Sequence, residues 1–325
     1  MAAGPMAEVE PDILRILTRE LKFSADELAA LSRGAIVKHA LPTPAPGEIA
    51  VVGAVLVKAT KETLIDRVRD IAQFKRGADV LQIGRFSDPP TLDDLAALTI
   101  RKDDLDVRSC RVGGCDVRLP ADTIVRFERE IDWSAPDAQS RAAALFKQVL
   151  FDNVRAYLSG GPGRITEYND GKRPIRPVDD FLGLLKNSPY IGELVPGLPT
   201  YLQEFPSSPL PGAEDFLYWS KEKFGLTPFI TVTHMTITRA PSSAVVITSR
   251  DVYSSRYFDA SVAATIASDA VGGPRAIYLV YVNRSRVNAL KGAFSGLRRS
   301  IVERRAKSSL EENLKATRMK LEQGA

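Results

Sequence analysis

Histidine and cysteine are the scarcest chemistry-bearing residues of this chain, two of each among 325. His39 stands beside the Pro-rich stretch Leu41–Gly47 and reads as a loop residue. His234 falls in a β-branched run, sharing a strand face with Ile230 and Val232. A lone strand histidine is more often a hydrogen-bonded core residue than a proton carrier. A Ser–His–Asp system would also need its nucleophile on a strand-to-helix elbow. Gly292-Ala-Phe-Ser-Gly296 has neither that spacing nor that setting. No catalytic residue is assigned, and binding is expected rather than catalysis.

Cys110 and Cys115 flank Arg-Val-Gly-Gly. They admit two readings: a disulfide closed between short strands at 106–108 and 116–119, or two free thiols in a reducing compartment. A zinc site needs four ligands, and the sequence has no second Cys/His cluster, so no metal is expected. Ser159-Gly-Gly-Pro-Gly163 follows a helical pattern, whereas a phosphate cradle runs strand, loop, helix. No cofactor is expected. The acid pairs Asp93-Asp94, Asp103-Asp104 and Asp179-Asp180 read as helix starts and solvated faces rather than carboxylates opposed across a cleft.

More suggestive are the polar and aromatic residues interspersed among Val, Ile, Phe and Ala from 253 to 283. Tyr253, Tyr257, Asp259 and Tyr281 would give an apolar wall a few orienting groups, the usual make-up of a small-molecule site. The plainer reading is a packed sheet face with tyrosines at its rim.

The elements that must position these residues follow from periodicity. Residues 9–33 read as two short helices, the second opened by the capping box Ser24-Ala-Asp-Glu27. Glu48–Val57 is apolar on both faces, hence a strand covered on both sides. An amphipathic helix is expected over 60–74, a short one over 91–98 and a long one over 136–158. Residues 170–225 mix Pro and Gly with many aromatics and read as short helices wrapped onto a body. Four strands, 229–238, 244–253, 257–267 and 276–283, are joined by short loops and predict an antiparallel meander. A helix from Arg284 onward then carries Val287, Leu290, Phe294, Leu297 and Ile301 on one face, with Phe294 expected in the ligand wall. The last residues, 308–325, read as a helical tail extending past the body.

This order of strand, helices, meander and final helix resembles the helix-grip fold of START-like (SRPBCC) proteins, which include lipid-transfer domains and polyketide cyclases. The resemblance spans 47–307, including Tyr278-Leu-Val-Tyr-Val-Asn-Arg-Ser-Arg286 entering the last helix. It implies an α+β fold in which a curved antiparallel sheet wraps a long C-terminal helix. Residues 1–46 would be an N-terminal helical extension and connector, and about 136–225 a helical insertion. It further implies a lipid, sterol or polyketide-like ligand between sheet and helix, held near His234, Tyr253, Tyr257, Asp259, Tyr281 and Phe294. The alternatives are a cyclase- or hydrolase-type enzyme in the same cavity and a scaffold with a filled core.

The net charge is only +4, and the Arg/Lys run of the last helix has no interleaved aromatics, so nucleic acid is not an expected partner. Transient contact of that basic helix with anionic membrane surfaces is. The first residues have neither the basic nor the apolar region of a secretion signal, so a cytoplasmic protein is expected. A periplasmic or secreted one would require a leader missing from this sequence.

Overall fold

The computed structural model describes residues 8–45, 47–223, 227–271, 275–287, 290 and 295–323. Nine strands are present among them: β1 (Glu8–Val9), β2 (Val37–Ala40), β3 (Glu48–Val57), β4 (Val80–Arg85), β5 (Glu214–Lys223), β6 (Pro228–Arg239), β7 (Val245–Ser254), β8 (Ala260–Val271) and β9 (Ile277–Arg286). Eight form one sheet in the order β2-β3-β9-β8-β7-β6-β5-β4, every neighbour antiparallel, and β1 pairs with the end of β8. The expected meander is its centre, because the β6–β9 connections are too short for anything but hairpins.

Helices cover both faces. Face one receives α1 (Pro11–Arg19), α2 (Ala25–Ser32), α5 (Ala121–Glu130), α6 (Ala138–Gly160), α7 (Pro177–Lys186), α8 (Tyr190–Leu194) and α9 (Leu198–Glu204). Face two receives α3 (Lys61–Arg69), α4 (Ile71–Phe74) and the long α10 (Ser295–Glu322). The molecule is thus α+β, an antiparallel sheet with a C-terminal helix laid against it, which fits the helix-grip arrangement.

Local chemistry accounts for most boundaries. Ser24 and Glu27 close the capping box at the start of α2. The helix expected over 60–74 is broken at Asp70, whose side chain accepts from Gln73 N–H and caps α4. Glycine at position 53 lets α10 lie close over β3: an added Cβ would stand 2.8 Å from Leu314 Cδ1.

Several expectations need correction. The last strand runs on to Arg286, where a helix was expected from Arg284, and α10 is described from Ser295. The reason is Glu48, fully buried, which binds Arg284 Nη1 at 2.8 Å and lies 3.8 Å from Arg286 Nη2, drawing both arginines into the sheet. Residues beyond 307 do not trail away, for Leu310, Leu314 and Leu321 are buried with Val51 and Val55 of β3. Val287 and Leu290 are buried, whereas Phe294 lies outside the described residues. Residues 214–223, expected among short helices, form β5, and His39 is on β2 rather than in a loop. Cys110 and Cys115 are joined as a disulfide, but no strands flank it; the chain between them turns through an Arg111–Gly114 bridge.

Candidate ligand site

Strand register divides the polar residues of the meander into two groups that cannot meet. On face one, His234 of β6 is fully buried. Its Nε2 lies 2.8 Å from Asp215 Oδ1 and its Nδ1 2.7 Å from the Tyr157 hydroxyl. A carboxylate only accepts, so Nε2 carries the proton and Nδ1 accepts from Tyr157. Asp215 also accepts from Tyr201 and from Thr236 Oγ1. Burial drives the His234 pKa down more strongly than Asp215 drives it up, and the imidazole is neutral near pH 7. Burial pushes the Tyr157 hydroxyl up to about 12. Phe205 packs on His234 with ring centroids 4.5 Å apart. Beside them Arg250 is buried with its guanidinium 3.6 Å from the Phe181 ring centre, donating to the Leu202 carbonyl at 3.1 Å. This network fastens α6, α7 and α9 to the sheet. Both imidazole nitrogens are engaged within it, so no lone pair or proton is offered to a ligand.

Tyr253 belongs to the same face. Its ring meets Phe146 and Tyr168, and its hydroxyl donates to Arg118 O at 2.9 Å. Asp259 is buried and paired with the Arg118 guanidinium, which also donates to Phe258 O. These three residues, expected on a ligand wall, are packing and anchoring groups of the helical side. Strand alternation identifies face partners such as Ile230, Val232 and His234 without showing which elements cover that face.

Face two differs. Here β5–β9 present Tyr218, Met235, Ile247, Ala263 and Leu279 together with Ser249, Asp251, Ser261, Thr265, Tyr281 and Asn283. The six polar residues stand on inner strands β7, β8 and β9, yet each keeps accessible surface. α10 accounts for this, because it seats over β3 and β2 at one side of the sheet while α3 and α4 cover other parts. Between them the six polar residues are partly accessible rather than buried. Asp251 Oδ2 accepts from Ser261 Oγ at 2.7 Å and Oδ1 from Thr233 Oγ1 at 3.2 Å. Burial pushes its carboxyl up to about 6, against the pull of Ser261, Lys75 and Thr233. Lys75, just beyond α4, donates to Glu222 Oε1 at 2.5 Å and to the Tyr218 hydroxyl at 3.1 Å. Burial would lower the Lys75 pKa, but Glu222 and Tyr218 outweigh it and hold the ammonium charged. Burial pushes Tyr281 up to about 12.

Of the residues expected at a ligand, Tyr281 stands on face two, partly accessible, beside Thr265 of β8 and Gly53 of β3. Tyr257 stands at the β7–β8 turn with φ of 64°, its ring edge-on to Phe229, its hydroxyl donating to Thr227 O at 2.9 Å. Asp251 was not singled out from sequence. Its signal was a carboxylate continuing the alternation Val245, Ile247, Ser249 on one strand face.

No protein-family model matches this chain, and no curated protein matches it. Among solved structures, fragment 25–204 of a STAR-related lipid transfer protein from Xanthomonas axonopodis covers 88% of this chain and 93% of its own, at 8% identity and a TM-score of 0.39. A likeness at that level carries no argument about this chain, and the fold description rests on the strand order and on α10. Among the described residues, no helix is long and apolar enough to cross a membrane, and no His/Cys/Asp/Glu group could hold a metal ion.

Proposed function

We propose that the protein binds a largely apolar small molecule, of the lipid, sterol or polyketide-like kind, in a face-two recess between the sheet and α10. The observation that carries this reading is the accessible surface kept by polar residues on inner strands, where a filled core would be closed and apolar. Met235, Ile247, Ala263 and Leu279 supply apolar wall, worth about 25 cal/mol per Å² of ligand buried. Hydroxyls among them orient the ligand. Engagement of both His234 nitrogens on the opposite face favours binding over histidine-based catalysis.

The ligand-binding unit would run from β3 through the end of α10, with the helices from α6 to α9 as its helical insertion. The exposed Arg298, Arg304 and Arg305 of α10, beside exposed Ile301, are the surface through which it would touch anionic lipid headgroups. The Cys110–Cys115 disulfide supports an oxidising compartment, periplasmic or extracellular, over the cytoplasm.

The test is uptake of a neutral fluorescent probe, a sterol analogue or phenylnaphthylamine, by the purified full chain. Binding at about micromolar Kd or tighter is expected. Ala263→Trp should abolish it with an unchanged circular dichroism spectrum, since Ala263 faces the recess between Ser249 and Asn283. Retained uptake in that variant, or no uptake by the wild type, would refute the reading.

A further inference from the structure

We infer that the face-two recess selects apolar molecules whose polar end donates hydrogen bonds, a protonated long-chain amine above all, with Asp251 receiving that end. The inference rests on face two being the binding wall and adds the chemistry of the ligand's head.

Charge around the recess is the first ground. Two charged groups act on Asp251: Lys75 from beyond α4 and Glu222 from β5. They are bonded to each other, so together they are neutral. Arg85 of β4 sits farther along, over the Phe216 ring and donating to Arg69 O. Tyr281 remains a neutral phenol, since its pKa is pushed up to about 12. The charge left facing the recess is that of Asp251.

Acceptor capacity is the second ground. Each Asp251 oxygen takes one hydroxyl donor, from Thr233 or Ser261, and a carboxylate has about four lone-pair sites. Acceptor capacity therefore remains on a residue that keeps accessible surface. A protonated amine would make a charge-assisted hydrogen bond there. A fatty-acid carboxylate would set two like charges in one partly dehydrated site, which disfavours the charged form of both. An alcohol head falls between them, donating one hydrogen bond without charge.

The Lys75–Glu222 pair sharpens the discrimination. A free lysine would have attracted a carboxylate, but this one is already satisfied by Glu222 and Tyr218. To recruit an anionic ligand it would have to abandon a half-buried partner.

The experiment displaces phenylnaphthylamine from the full-length protein near neutral pH with dodecylamine, dodecanol and dodecanoate, each below its micellar concentration. Dodecylamine should bind about tenfold or more tighter than dodecanoate, a difference of roughly 1.4 kcal/mol or more. Dodecanol should lie between. Asp251→Asn should erase most of that preference by weakening the amine and strengthening the carboxylate, while Asp251→Glu should retain it. Dodecanoate binding as tightly as dodecylamine, or a preference unchanged in Asp251→Asn, would overturn the inference and leave the binding site standing. A wild-type protein that takes up the neutral probe but none of the three chains would overturn it too. Failure to bind even the neutral probe would overturn the parent reading, so the two failures are distinguishable.

Discussion

The seat of α10 on β3 can be tested by swapping atoms across it. Gly53 faces Leu314 and Leu310, and an added Cβ would stand 2.8 Å from Leu314 Cδ1 and 3.1 Å from Leu310 Cδ2. Gly53→Ala should therefore force a helix shift or a strained leucine rotamer, costing ~1–3 kcal/mol. Reduced freedom of the unfolded chain offsets ~0.4–1 kcal/mol of that. Leu314, 3% exposed, should cost ~2–5 kcal/mol as Leu314→Ala, since the vacated space lies between helix and sheet. In the double variant the new Cβ enters space that Leu314 has left, with only the smaller Leu310 contact remaining. Gly53→Ala should then be nearly neutral, and the coupling ~1–2 kcal/mol in the favourable direction. For a chain this long, ~1 kcal/mol moves Tm by only about 1–2 °C, so urea denaturation is the better assay. Trp219 fluorescence reports the sheet, because that residue is buried on β5. Additive losses, with coupling under ~0.3 kcal/mol, would show that α10 does not bear on Gly53 as described.

Asp251→Asn should stabilise the free protein by ~1–3 kcal/mol near neutral pH, because the carboxyl is pushed from 3.8 up to about 6 and its ionisation opposes folding. The sign is testable: the gain should be absent below pH 4, grow up to about pH 6 and stay constant above it. Equal stability of variant and wild type across that range would remove the strain assigned to Asp251. For the thiols, alkylation of unreduced protein should leave both cysteines unlabelled, and reduction should cost less than ~3 kcal/mol because the loop between them is short. Two labelled cysteines in freshly isolated protein would contradict the bridge and restore the cytoplasmic expectation.

Strands β3 and β6–β9 were legible in the sequence because their apolar residues are continuous or alternate and their loops are short. β5 was not, and its charges explain why. Asp215, Lys221 and Glu222 look like surface residues, but each is matched from a distant segment, by His234, Asp104 and Lys75. Pairing over such separations leaves no trace in local pattern. β4 was hidden for a related reason, since Gly84 weakens a strand pattern and only the fold shows Trp219 lying against it, within 2.6 Å of an added Cβ. A helix was expected from Arg284 because Val287 and Leu290 suit a helix face, while the Glu48 carboxylate that holds Arg284 and Arg286 in the sheet lies far upstream. At the site, sequence could nominate tyrosines and acids but not sort them by face. The bulge between Val232 and Thr233 places Asp251 on one side and Tyr253 on the other with a single residue between them.

The antiparallel pairing of β3 with β9 has a consequence for biosynthesis. Val51 meets Asn283, a partner made about 230 residues later. At ~5–20 residues per second, the ribosome delivers that partner roughly 10–50 s after β3 has emerged. Until then the β2–β3 hairpin presents an open, apolar edge with neither β9 nor α10 to cover it. Such an edge is a template for the wrong neighbour. The nascent chain is thus committed to a long wait at its most aggregation-prone stage, and a holdase that shields Ile49–Val57 during translation would act where the fold is least able to protect itself.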